Sequence, residues 1–101
     1  MTETVSGRLP DELVKELDQL GKDMGMTRSE VLREVVSKGV AAERLERALD
    51  AYRRREVSLG RASQMAGIPI TVFLDELKRA GILRNYDLDE LRRDLAWAER
   101  Q

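Results

Sequence analysis

The sequence predicts a mainly α-helical protein with one short strand near its N-terminus, and three observations support this fold class. Apolar and polar side chains alternate over residues 3–9, which is typical of a strand. After Pro10, apolar residues recur every three or four positions, which is the spacing of an amphipathic helix. Charged residues reach 37% of the 101 positions, well above the roughly 25% of soluble domains. We expect a small chain so rich in surface residues to complete its core by obligate dimerisation.

The predicted strand has one polar face, which consists of Thr4, Ser6 and Arg8. A single short strand cannot be stable alone, because its backbone groups have no partner. Another subunit is the simplest source of that partner. The sequence therefore predicts a two-stranded antiparallel ribbon, formed by two copies whose following helices interlock across the dyad.

Local signals place the helices. The first helix follows Pro10 and ends at Gly25, and it carries an apolar stripe of Leu13, Leu17, Leu20 and Met24. Thr27 and Glu30 form a capping box at the start of the second helix. Residues 41–55 read as a further helix, and the sequence leaves open whether it continues from the second. About six helices are predicted in all, the last three over residues 58–66, 69–80 and 87–98.

The polar face of the ribbon predicts contact with DNA. A two-stranded ribbon fits the major groove of B-DNA, where Thr4, Ser6 and Arg8 can form hydrogen bonds with base edges. At the second helix, the free N–H groups near Thr27, Arg28 and Ser29 would face a phosphate. Each feature alone also suits a solvated edge strand or a simple helix cap, but their combination favours DNA binding.

Residues 4–40 resemble the ribbon-helix-helix repressors of the Arc, MetJ and CopG class. The segments that carry the resemblance are Val5-Ser6-Gly7-Arg8-Leu9-Pro10-Asp11-Glu12-Leu13 and Gly25-Met26-Thr27-Arg28-Ser29-Glu30-Val31-Leu32. The resemblance implies a homodimer whose Thr4, Ser6 and Arg8 read bases. Gly7 departs from the pattern, because the family usually has an aliphatic residue there that faces the core.

The C-terminal part has a helix–turn–helix shape over residues 57–80, with a turn at Gly67. Two acids on its second helix, Asp75 and Glu76, repel phosphate, so a structural or partner-binding role is at least as well supported as DNA reading. Residues 48–95 also resemble a family of small prokaryotic proteins of unassigned function that are regarded as antitoxin-like. That resemblance implies a two-part antitoxin or a small transcription factor.

Two further features have competing interpretations. The run Arg53, Arg54 and Arg55 fits a phosphate clamp beside the ribbon as well as it fits a solvated helix face. Trp97 fits a partner anchor, although packing within its own helical module is the favoured interpretation.

Composition excludes several classes of function. The chain has no Cys and no His, which removes disulfides, thiolate metal sites and the commonest general base. It contains no catalytic motif, so we expect no enzyme activity, no cofactor and no metal. The acids near Asp87 and Asp94 read as capping and solubilising charges. No apolar run spans a membrane, and no signal core is present, so a cytoplasmic location is expected.

These observations predict three parts and one main function. Residues 1–42 form the ribbon-helix-helix unit for DNA binding and dimerisation, 43–56 a connecting helix, and 57–101 a small helical module. The leading hypothesis is a sequence-specific transcriptional regulator, a repressor or autoregulatory antitoxin, that binds double-stranded DNA as a homodimer or as paired dimers. The alternative is an interaction module that neutralises a toxin protein through its C-terminal helices.

Overall fold

A computed structural model describes residues 1–83, 89, 90, 92, 93 and 96 of the chain. These residues form no strand, and their helices are α1 (Asp11–Met24), α2 (Arg28–Arg53), α3 (Leu59–Ala66) and α4 (Ile70–Arg79). The chain divides into two compact units, unit 1 (Met1–Gly39) and unit 2 (Val40–Gln101). The three-part division drawn from the sequence stays a prediction. Of the helix predicted over 87–98, most positions lie outside the described residues.

The ends of α1 follow from the residues that flank it. Pro10 lies immediately before the helix, where its fixed φ and missing N–H cost nothing. Asp11 and Glu12 occupy the first turn, where the positive end of the helix dipole stabilises their negative charges. Gly25 ends the helix in the left-handed region, at φ 68°, and its backbone N–H donates to carbonyl groups of the last turn.

The second helix is continuous over 26 residues, which answers the question that the sequence left open. It begins after the capping box, in which the Glu30 N–H donates to Thr27 Oγ1 at 3.2 Å and the Thr27 N–H donates to Glu30 Oε1 at 3.1 Å. Gly39 lies inside the helix and does not interrupt it, because an interior glycine costs only about 1 kcal/mol relative to alanine.

Unit 1 has one point of close packing, between Gly21 of α1 and Val31 of α2. Val31 is fully buried, and a Cβ atom added at Gly21 would lie 3.3 Å from its Cγ1. The Met26 N–H donates to the Gly21 carbonyl at 2.8 Å, which closes the turn between the two helices. Val31 is the one buried hydrophobic residue among the described residues of unit 1, so this unit has almost no core of its own.

Unit 2 holds a conventional core built from the C-terminal half of α2, α3 and α4. Phe73, Leu59 and Leu77 are fully buried, and Tyr52 contacts the edge of Phe73 with ring centroids 6.3 Å apart. Small side chains allow the helices to approach, and the buried cluster is completed by Ala48, Ala62, Ala66 and Leu74.

The predicted strand over residues 3–9 is wrong, and so are the two-stranded ribbon and the intertwined dimer that depended on it. Residues 1–10 form neither helix nor strand, and all of them are exposed. A strand is stable only when a neighbouring strand satisfies its backbone hydrogen bonds, and the described part of this chain offers none. Every regular element of the described residues is therefore a helix, and they do not form the ribbon-helix-helix architecture.

Across the described residues, every helix is too short or too polar to cross a lipid bilayer.

Candidate nucleic-acid interface

In the helix–turn–helix of unit 2, α3 has a side-chain cap at its start and a left-handed glycine at its end. Ser58 caps α3, and its Oγ accepts a hydrogen bond from the Arg61 N–H at 3.1 Å. Gly67 ends α3 at φ 72°, where a side chain would be strained. Pro69 then adopts an extended conformation, and α4 begins at Ile70. The two helices are thus joined by only three residues, 67–69.

An arginine from α2 secures this turn. The Arg44 Nε donates to the Met65 carbonyl at 3.2 Å, near the C-terminal end of α3, where the helix dipole favours a cation. Its guanidinium also covers Gly67, because a Cβ atom added there would lie 2.7 Å from Arg44 Nη2. No local signal could reveal the contact, since 21 residues separate Arg44 from Met65.

The outer face of α4 carries the side chains that the turn presents to solvent. Thr71, Asp75 and Lys78 are exposed on this helix. Glu76 is half-buried and accepts a hydrogen bond from Arg79 Nη1 at 3.0 Å, so its charge is compensated locally. Of the two acids that the sequence analysis counted against DNA binding, only Asp75 therefore remains exposed without an ion pair among the described residues.

The arginine run at the end of α2 lies around one carboxylate. Arg53 forms an ion pair with Asp50, and Arg54 Nε lies 3.2 Å from Asp50 Oδ2. Two guanidinium groups share one carboxylate, so this cluster keeps a net positive charge. Arg55 follows with φ 62°, a left-handed backbone conformation that residues other than glycine rarely adopt. The run thus has local ion pairs and a remaining positive charge, and its contact with phosphate stays a prediction.

The residues predicted to read bases lie in one short segment that has no regular secondary structure. Thr4, Ser6 and Arg8 are all exposed, in the segment that forms no strand. The ribbon that would have aligned them is absent from the described residues, so nothing in unit 1 holds the three side chains on one face. Their contact with DNA stays a prediction.

The predicted phosphate site at the start of α2 is largely occupied by the protein itself. The Thr27 N–H already donates to Glu30, whose carboxylate would repel a phosphate. Arg28 forms a two-point ion pair with Asp18, at 2.9 Å and 2.6 Å. Ser29 remains exposed. The side chains of Thr27 and Arg28 therefore serve the helix ends of unit 1, and a phosphate would have to compete with both acids.

These contacts shift two carboxyl pKa values. The hydrogen bond from Arg28 is the main reason why the pKa of Asp18 lies below its usual 3.8. The backbone and side-chain hydrogen bonds of Thr27 lower the pKa of Glu30 below its usual 4.5. Both carboxylates therefore stabilise the fold in their charged form.

Unit 1 should consequently lose stability in acid. A carboxyl group whose pKa is lower in the folded state contributes stability that is fully present above its usual pKa, which is 3.8 for Asp18 and 4.5 for Glu30. This stability is lost as the pH falls through the lower pKa of the folded state. Carboxyl chemical shifts measured by NMR across this range should show Asp18 and Glu30 becoming protonated at pH values below their usual 3.8 and 4.5. Arg28→Gln should return the pKa of Asp18 towards 3.8 and leave Glu30 shifted. Unchanged titration of Asp18 in that variant would contradict the assigned cause.

Within the described ranges, no group of three or more His, Cys, Asp or Glu side chains is placed to hold a metal ion. Trp97, the predicted partner anchor, lies outside the described residues. The site that emerges is therefore α3, the turn and α4, with the basic end of α2.

Comparison with known proteins identifies one family. The model of an uncharacterised protein family, UPF0175, matches residues 1–100. A UPF0175 protein of Archaeoglobus fulgidus is 46% identical over 48 residues, which cover 48% of this chain and 55% of the relative. A UPF0175 protein of Aeropyrum pernix is 40% identical over 57 residues, which cover 56% of this chain and 64% of the relative. These matches thus span about half to two thirds of the length of the curated relatives.

No solved structure matches the chain. The comparisons lend no support to the resemblance of residues 4–40 to ribbon-helix-helix repressors, because the single family match includes those residues. The match from residue 1 to residue 100 shows that this chain belongs to the UPF0175 family, an uncharacterised protein family.

Proposed function

We propose that the protein is a sequence-specific DNA-binding regulator that reads DNA with α4. The observation that carries the proposal is the helix–turn–helix of unit 2, in which an eight-residue helix and a ten-residue helix are joined through left-handed Gly67. In such motifs the second helix enters the major groove, and the residues near its N-terminus contact base edges. We therefore assign the proposed reading element to unit 2 rather than to the N-terminal segment.

The first turns of α4 carry suitable side chains for base contacts. Thr71 and Asp75 are both exposed, and they are four residues apart, so they lie on one face of the helix. A threonine hydroxyl can form hydrogen bonds with several bases, and an aspartate accepts a hydrogen bond from the amino group of cytosine. A carboxylate at this position therefore serves base selection, although it repels phosphate.

Phosphate contacts would come from the basic residues of unit 2. Residues 40–83 contain eight arginines and lysines against six acids, whereas residues 1–39 contain six bases against eight acids. Arg61 on α3 and Lys78 on α4 are exposed, and the paired cluster of Arg53 and Arg54 remains basic. Local positive charge attracts DNA by release of counterions, even where the whole chain has a net charge of −1.

The proposal is tested by selection of DNA with the full chain from a library of randomised duplexes, followed by fluorescence anisotropy on the selected duplex. Asp75→Asn should weaken binding to that duplex by about tenfold, because one base-edge contact is worth about 1–3 kcal/mol. Glu46→Gln is the matched control, since it removes the same charge from an exposed residue of α2. It should leave the preference for the selected duplex unchanged.

Two further results decide the assignment. Arg61→Ala should weaken binding to all duplexes alike and lower the salt dependence by about one counterion. The proposal is wrong if the library yields no preferred sequence, or if Asp75→Asn and Thr71→Ala bind the selected duplex as the natural chain does. Loss of selectivity in Arg8→Ala alone would place the reading site in the N-terminal segment instead of α4.

A further inference from the structure

Unit 1 exposes an apolar surface that unit 2 does not. Of the eleven exposed large hydrophobic side chains among the described residues, nine belong to unit 1. By contrast, one of the ten buried hydrophobic residues lies in unit 1, and the other nine lie in unit 2. The side chains that the helix spacing aligns for a core are therefore present in unit 1, but nothing within the unit covers them.

Part of this surface is a groove between the N-terminal segment and α2. It has a volume of about 550 Å³, and its apolar lining comes from Val5, Leu9, Leu32 and Val36. Val5 is 87% exposed and Val36 is 53% exposed, so both walls of the groove are open to solvent. Contiguous apolar surface of this kind on a small domain marks a site of association.

We propose that a second copy of this chain covers the apolar face of unit 1, which we define as this groove together with Leu13, Leu20 and Met24 of α1. A unit of about 40 residues needs a disulfide, a metal or an oligomeric partner to be stable. The chain has no cysteine, and the described residues hold no metal-binding cluster. A second copy of the chain can supply such a partner, and it is present wherever the chain is made.

The charges at the groove favour a copy over an unrelated partner. Glu3 and Arg33 both line it, and neither takes part in an ion pair among the described residues. In a two-fold interface the same patch meets itself, so a patch that carries one acid and one base can be complementary to its own copy. Glu3 of one protomer can then meet Arg33 of the other at the edge of a shared apolar centre.

This dimer goes beyond the proposed function and does not depend on it. If unit 2 did not bind DNA, the apolar face of unit 1 would still need a cover. If DNA binding is correct, two protomers related by a dyad present two copies of α4, and the preferred DNA would contain two related half-sites.

The mass of the full chain in solution is the first test. Sedimentation at several protein concentrations should give twice the chain mass of 11.5 kDa. Val36→Lys should shift the chain towards the monomer, because it places a charge in the apolar face. Val72→Lys is the matched control, since Val72 is 43% exposed in α4 and lies in unit 2. It should remain dimeric.

A second measurement remains informative if Val36→Lys fails to fold. Because the chain lacks cysteine, Val36→Cys and Val72→Cys each carry a single thiol for maleimide labelling. A lone chain would label position 36 at least as fast as position 72, since their exposures are 53% and 43%. The dimer predicts the reverse order, with labelling at position 36 slowed at least tenfold. Equal labelling rates, or a natural chain that sediments at 11.5 kDa, would overturn the proposal.

Discussion

Replacing Phe73 with alanine should destabilise unit 2 by about 3–5 kcal/mol, the largest effect expected of any single truncation in the chain. Phe73 is fully buried and meets the edge of the Tyr52 ring, with an angle of 88° between the two ring planes. Its removal forfeits both the burial of an aromatic ring and this contact, and it leaves a cavity among the buried alanines. Urea unfolding followed by far-UV circular dichroism measures the change, at one fixed protein concentration.

Val72→Ala is the control for this measurement. Val72 is the next residue of the same helix and is 43% exposed, so its truncation should change stability by less than about 1 kcal/mol. If Phe73→Ala proved as mild as Val72→Ala, the core described for unit 2 would be incorrect. Phe73→Ala should also weaken the proposed DNA binding, because the packing of α4 depends on this buried side chain.

Gly21→Leu should have the second largest effect, with a cost of about 3 kcal/mol in unit 1. A Cβ atom at this position would lie 3.1 Å from the Met26 carbonyl oxygen and 3.3 Å from Val31 Cγ1. The first neighbour is backbone and cannot rotate away, so α1 and α2 must separate at the only closely packed point that we find between them. Thermal unfolding and hydrogen exchange of the α1 and α2 amides report the loss.

Gly39→Leu should change stability in the opposite direction. Gly39 also lies inside a helix, but a Cβ atom added there meets nothing within 4 Å. Replacing an interior glycine with a good helix former should stabilise α2 by about 0.5–1 kcal/mol. Equal destabilisation by both substitutions would show that the space around Gly21 is not the cause.

Local signals in the sequence were sufficient for the helices. The Thr27 and Glu30 capping box, Ser58 before α3 and Gly67 after it act over three or four residues, and the structure contains the hydrogen bonds that they imply. The helices predicted over residues 58–66 and 69–80 are likewise present as α3 and α4. Short-range rules suffice where a helix provides its own backbone partners.

The candidate site was harder to predict because its geometry depends on distant residues. The strand over residues 3–9 had the right alternation, yet a strand needs a partner, and residues 1–83 contain none. The contact between Arg44 and the end of α3 joins residues far apart in sequence. The pairing of Glu76 with Arg79 also changed the electrostatic interpretation of α4, although its i,i+3 spacing is a local signal that the sequence analysis did not use.

The uneven distribution of buried side chains along the chain has a consequence during protein synthesis. Unit 1 precedes unit 2, and ribosomes add about 5–20 residues per second, so the open groove of unit 1 is made roughly 2–8 s before Leu77 completes the packed centre of unit 2. Neighbouring ribosomes on one messenger RNA carry that surface close together while both chains are still growing. Association of two nascent chains can therefore begin before either has acquired α4.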